Sequence, residues 1–273
     1  MSFSALVALL LSLLPIPTDD LLPAVRQRGP QPATACEQIA YDLGLRHPGL
    51  DQVVVVRATT ATSTQASLQV ADRSSGGWVC TTEMTARVGR NGVRPIALRR
   101  SGDGTTPAGV FPLATMTAWD GQRFSFFGNS SDPGVVGGAY RRVRSGDCFG
   151  ATPNHRDYGH LVQRSQAACL GPDDEYLPSY PGTYEHAALI GANTEPSVSG
   201  DAPGETPYAA AIFLHRHSYD SNAASKATSG CVSLAHADLV SVLRRLRPGV
   251  LFAIGASSWL LDPTHLVVGI PVD

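Results

Sequence analysis

Ala211 to Leu234, AIFLHRHSYDSNAASKATSGCVSL, sets two histidines ahead of an isolated cysteine within one strand–loop–strand or strand–loop–helix unit. A cysteine nucleophile needs a base to generate thiolate, backbone N–H groups to hold a developing oxyanion, and a glycine that permits close approach. Ser229-Gly230-Cys231, with His215 upstream, offers a candidate for each part. The same pattern also suits a buried structural cysteine behind a turn glycine. Alternation over Tyr208–His217 predicts a strand with Ala211, Phe213, His215 and His217 on one face. Ile212, Leu214 and Arg216 then take the other. Beyond Cys231, Ser233 is placed to cap a helix from about Ala235 to Arg247, whose Leu239, Val242, Leu243 and Leu246 form an apolar stripe.

Working outward, 273 residues give enough chain for one domain of about 200 residues and a small N-terminal piece. The 27 glycines, 20 prolines and only 16% charged residues favour a loop-rich, mainly β or α+β protein over a helical bundle. A formal charge of -2 without a basic block gives no electrostatic case for a nucleic-acid partner. Five cysteines leave one unpaired in any fully oxidised chain. If Cys36, Cys80, Cys148 and Cys169 form two bridges, three pairings are open; Cys36–Cys80 and Cys148–Cys169 keep each bridge within one chain segment. Cys231 is then the leftover thiol.

Phe3–Leu14, FSALVALLLSLL, has the length of a signal-peptide core and falls short of the ~20 residues that span a bilayer. No Lys or Arg precedes it, and the neatest small-x-small site, Ala33-Thr34-Ala35, lies far downstream. The Pro-rich stretch Pro23–Thr34 reads as linker, and Cys36–Leu45 as a short helix with Ile39, Ala40 and Leu43 on one side. Four consecutive valines within Asp51–Arg57 predict a buried strand. Ala66–Ala71 and Trp78–Thr82 read as strands joined at Ser74-Ser75-Gly76-Gly77. The expected division is therefore a leader over 1–22, linker and helix over 23–49, a catalytic domain over 50–256 and a tail over 257–273.

Gly89, Asn91-Gly92, Gly102-Asp103-Gly104 and Pro107-Ala108-Gly109 predict tight turns in place of regular structure. Gly128–Pro207 is long, irregular and polar, as a lid or binding wall would be. His155 and His160 within it lack companions at a metal-binding spacing, so neither metal nor cofactor is expected.

Four stretches in order, ARVGRNG with GDGTTPAGVFPL (Ala86–Gly92, Gly102–Leu113), AALIGAN (Ala187–Asn193), AIFLH ending at His215, and TSGCVSL (Thr228–Leu234), resemble the L,D-transpeptidase catalytic-domain family (YkuD-like). Asp147-Cys148 and Tyr158–Val162 resemble a branch with a long middle insertion. The resemblance implies a mainly β, sandwich-like fold with few helices and a secreted or cell-envelope bacterial enzyme that cross-links peptidoglycan stem peptides, with no protein partner. It implies Cys231 as the nucleophile, His215 as the base oriented by the Arg216 carbonyl, and Gly230 and Cys231 N–H groups for the oxyanion. Hydrolysis by the same pair, as an L,D-carboxypeptidase, or a non-catalytic envelope-binding domain are the alternatives.

Two positions depart from the commoner family motif. Ser229 stands where that motif has His, and Ser233 where it has Arg. The substrate carboxylate usually met by that Arg needs another cation, for which Arg141, Arg142, Arg144 and Arg156 of the middle loop are candidates. Ser229, Ser233 and His217 are further candidates for substrate contact.

Overall fold

The computed structural model describes residues 32–132 and 139–269; the apolar leader and most of the linker lie outside them. Thr34 opens helix α1 (Ala35–Arg46) with a capping box, its hydroxyl accepting from the Glu37 N–H while the Glu37 carboxylate accepts from the Thr34 N–H. Two of the donors that a helix start leaves open are satisfied this way. The helix buries Cys36, Ile39, Ala40 and Leu43, the face its periodicity predicts.

Strands β1 (Gln52–Ala58), β2 (Gln65–Ser74), β3 (Gly77–Cys80), β4 (Met84–Arg87), β5 (Val93–Pro95) and β6 (Thr106–Pro112) come first. Short strands follow: β7 (Met116–Thr117), β8 (Arg123–Phe124), β9 (Phe126–Gly128), β10 (Tyr140–Arg142), β11 (Asp147–Phe149), β12 (Leu161–Gln163) and β13 (Glu175–Tyr176). β14 (Ala187–Leu189), β15 (Phe213–Arg216), β16 (Val232–Leu234) and β17 (Leu251–Ala256) complete the set, with helices α2 (His236–Arg245) and α3 (Ser257–Leu260) around the last strand. The protein is thus mainly β with few helices, as expected.

One mixed sheet takes the order β10-β9-β14-β15-β16-β4-β2-β1-β17-β6-β5, with β3 beside β2. The valines of β1 lie between parallel β17 and antiparallel β2, buried on both faces, which is why the run is continuous and does not alternate. A bridge from Leu113 to Ile190 ties the chain after β6 to the chain after β14, so the sheet folds over on itself. Val54, Phe111, Leu214, Val232 and Phe252 fill the enclosed core, and Leu239, Val242 and Leu243 of α2 close it.

Two local expectations change. Pro107-Ala108-Gly109 lies inside β6, paired to β17 and β5, and forms no turn. Gly109 is needed there because the Phe111 ring folds across it, 2.5 Å from where a Cβ would sit. Ser233 does not cap α2: Ala235 holds that position without a side-chain bond, while Ser233 is fully buried in β16. The Ser74–Gly77 hairpin forms as read, and the described part of the tail packs Leu260 and Leu266 into the core cluster beneath α1.

Cys36–Cys80 ties α1 to β3, and Cys148–Cys169 braces the small sheet β12-β11-β13 of the middle region. Closing loops of these lengths stabilises the fold by about 3–4 kcal/mol each in the chain-entropy account. Cys231 is the remaining thiol, and it is buried.

Candidate active site

Parallel pairing of β15 with β16 sets Leu214 against Val232, His215 against Ser233 and Arg216 against Leu234. Cys231 therefore enters β16 beside the strand that carries His215, although 16 residues separate them in sequence. The two side chains line one cleft of about 270 Å³, together with Glu175, Tyr180, Tyr184 and Lys226. A second, smaller recess of about 80 Å³ also reaches Cys231, walled by Arg90, Arg99, Asp173 and Glu175. Cys231, Ser229 and Glu175 line both.

The turn-rich motifs hold the cysteine loop in place. The Thr228 and Thr106 hydroxyls both donate to the Cys231 carbonyl, at 2.7 and 3.2 Å. Thr106 in turn accepts from the Gly89 N–H, and the backbone of Thr228 pairs with Val88 and Arg90. Gly92, at φ +82°, packs so closely on Ala61 that a Cβ would lie 2.0 Å from its carbonyl oxygen, so no other residue fits. Gly230 has a similar role at the site: a Cβ there would stand 2.9 Å from Nη2 of Arg99 and 3.2 Å from the Thr105 carbonyl.

His215 is 5% exposed, and its Nδ1 lies 2.7 Å from the Arg216 carbonyl oxygen. A carbonyl only accepts, so Nδ1 carries the proton and Nε2 keeps its lone pair. The Tyr184 ring meets the imidazole edge-on at 5.5 Å and is itself packed against Phe213 and Phe127. Burial drives the His215 pKa down to about 4, against the Arg216 carbonyl, which favours the charged form. The ring is therefore neutral, and able to accept a proton, throughout the physiological range. Glu175 accepts a hydrogen bond from the Tyr184 hydroxyl, and burial raises its pKa to about 7.

Cys231 is 7% exposed, and its thiol donates to the Ala211 carbonyl at 3.2 Å while accepting from the Phe213 N–H at 3.4 Å. Ala211 reaches this position through a left-handed backbone (φ +53°), and β15 begins at Phe213, later than the Tyr208 start that alternation suggests. Burial pushes the thiol pKa up and Glu175 adds to it, while the Phe213 N–H and Arg99 oppose the shift. The resting pair is thus thiol and neutral imidazole, not a preformed thiolate–imidazolium pair. Neutral iodoacetamide should accordingly alkylate Cys231 more slowly than a free cysteine at pH 7, with a rate still rising above the ordinary thiol pKa of about 8.5. A plateau reached by pH 7, read by intact mass over a pH series, would contradict this.

The other predicted residues are placed as follows. His217 shares the face of His215 but lines a separate cleft with Tyr219 and Asp238, where its Nδ1 lies 2.8 Å from the Ser233 hydroxyl. Ser229 accepts from Arg90. The Arg216 side chain pairs with Glu185, leaving its carbonyl for His215. Arg141 is fully buried in ion pairs with Asp120 and Asp147, and Arg144 also pairs with Asp120. None of Arg141, Arg142, Arg144 and Arg156 lines either recess at Cys231. Arg99, Glu175 and Tyr184, which do, carry no sequence signal of their own and are brought in by folding, Glu175 from β13 and the other two from turn or loop; Arg90, which also does, lies within the ARVGRNG stretch. The middle region supplies the wall its length predicts. No group of three or more His, Cys, Asp or Glu suited to a metal occurs among the described residues.

The family model of the L,D-transpeptidase catalytic domain (YkuD) matches residues 65–254, a span that begins with β2, takes in all the cysteine-loop supports and ends within β17. No curated protein and no solved structure matches the chain. The family match covers well over half of the sequence, and the chain belongs to the L,D-transpeptidase catalytic-domain family, whose members act on peptidoglycan peptides.

Proposed function

We propose that this chain is a cysteine-dependent peptidoglycan L,D-transpeptidase with Cys231 as nucleophile and His215 as base. The observation that carries the reading is the tautomer of His215: with Nδ1–H held by the Arg216 carbonyl, Nε2 is an acceptor in the cleft that Cys231 lines. On substrate binding the thiol gives up its bond to Ala211 and passes its proton to His215 Nε2 as sulfur attacks the peptide carbonyl. Collapse of the tetrahedral intermediate breaks the C–N bond, and the departing D-residue's amine leaves with the proton from His215. An acceptor amine then attacks the thioester and gives a proton to His215, which returns it to the sulfur. The Gly230 N–H already donates to the Thr228 hydroxyl at 3.2 Å, so the Cys231 N–H has the larger share in holding the oxyanion.

Two recesses meeting at one sulfur let a peptide lie across it, with the parts on either side of the scissile bond in separate recesses. The two disulfides fit an oxidising compartment, and with the apolar leader support a secreted or envelope location for the domain over 50–256. No helix among the described residues is long and apolar enough to cross a membrane. Incubation with disaccharide-tetrapeptide should give a cross-linked dimer by mass spectrometry. Tripeptide without dimer would replace transfer by hydrolysis, and unchanged substrate would point to a non-catalytic domain.

A further inference from the structure

Arg99 is 2% exposed and carries its charge into the interior beside the reactive loop. Its Nε donates to the Thr105 carbonyl at 2.8 Å and its Nη1 to the Tyr208 carbonyl at 2.7 Å. Its nearest carboxylate, Asp103, stands 3.8 Å away and spends its oxygens on Thr105 and the Arg100 N–H. The remaining nitrogen, Nη2, has no protein acceptor among the described hydrogen bonds and lies against Gly230, next to Cys231. A guanidinium stays charged in proteins, and a buried charge without a close counter-ion is costly. An anion in the recess would complete it.

The recess is the smaller of the two at Cys231, about 80 Å³ against about 270 Å³ for the cleft that holds His215. Arg90 forms the outer wall, its Nη1 on Ser229 and its Nη2 near the Gly102 carbonyl. Two acids share the recess: Asp173 is exposed and therefore screened, and Glu175 is bonded to Tyr184. Of the two cations that wall the recess, Arg99 is the buried one and Arg90 the exposed one.

We propose that the recess of Arg99 and Arg90 binds the C-terminal carboxylate of the small D-residue that leaves when Cys231 attacks, so that these two arginines select a donor peptide ending one residue past the scissile bond. This rests on the reading of Cys231 as the acylated residue. It makes Arg99 and Arg90 specificity residues contributed by the turn-rich motifs, far in sequence from the cysteine loop. A carboxylate there also sets the scissile carbonyl over the sulfur, with the rest of the peptide extending into the larger cleft that holds His215.

The test compares N-acetyl-L-lysyl-D-alanine with its C-terminal carboxamide, binding to the full chain carrying Cys231→Ala, by calorimetry. The free carboxylate should bind about tenfold tighter or more, the scale of one to two charge-assisted hydrogen bonds. Arg90→Gln, at an exposed position, and Arg99→Lys should each shrink that preference by about threefold or more, and circular dichroism checks that they fold. If Arg99→Lys does not fold, Arg90→Gln alone decides. Equal binding of the two ligands, binding of neither, or a preference that survives the substitutions overturns the subsite. A separate arm exposes the wild-type chain to a carbapenem: no adduct, with the carboxylate preference intact, would remove the catalytic reading and leave the subsite standing.

Discussion

Cys231→Ala should abolish the covalent adduct expected when the wild-type chain meets a carbapenem, a β-lactam that acylates nucleophiles, and should lower peptide transfer by on the order of 10⁴-fold or more. The size of the effect follows from chemistry. An alanine has no nucleophile, and the four other cysteines are tied up as Cys36–Cys80 and Cys148–Cys169, so no second thiol can stand in. The fold should survive. The substitution removes one sulfur whose partners are the Ala211 carbonyl and the Phe213 N–H, a change of about 1 kcal/mol. Intact mass of wild type and variant after incubation decides it, and an adduct of equal yield on the variant would remove Cys231 from the mechanism.

His215→Gln should cost about 10²- to 10⁴-fold in transfer, the usual worth of a positioned general base. Glutamine can still donate to the Arg216 carbonyl, so the loop geometry is retained while the basic Nε2 is lost. A stability signature accompanies it. The folded-state pKa of His215 is about 4, below the ordinary value of 6.5, because burial disfavours the charged ring. A depressed histidine contributes stability that is present above pH 6.5 and is lost as pH falls towards 4. By linkage this is worth about 3 kcal/mol over the window. Wild type should therefore lose more thermal stability than His215→Gln between pH 6.5 and 4. Parallel melting curves over that range would show that His215 titrates like an exposed ring.

Much of the arrangement was legible before any coordinates. The β1 valines predict a strand with two buried faces, the Ile39, Ala40 and Leu43 spacing predicts the inner side of α1, and Ser74–Gly77 predicts its hairpin, because each depends on residues within a few positions of one another. The favoured disulfide pairing also appears, in bridges that close within one segment of chain. Where local reasoning failed, a distant contact outweighed it. Pro107-Ala108-Gly109 has turn composition but lies in a strand, because β17 and β5 supply partners on both sides and the Phe111 ring occupies the space over Gly109. Ser233 has the chemistry of a helix cap, yet the ladder to β15 and β4 extends through it and leaves its hydroxyl to His217.

The sequence by itself determined the family and singled out the candidate reactive residues: an odd cysteine behind a glycine, a histidine 16 positions upstream, and a set of turn motifs in the order of one family. These depend on residue type and near spacing, which the chain states directly. Only the tertiary structure decided the electrostatics around them. Parallel pairing of β15 and β16 brings His215 into the cleft of Cys231, the middle region folds over to set Glu175 against Tyr184, and the turn before β6 delivers Arg99 to the smaller recess at the sulfur. Burial and charge depend on what surrounds an atom in space. Segments distant in sequence set the protonation of the Cys231 thiol, the neutrality of His215 and the cation that shares a recess with Cys231.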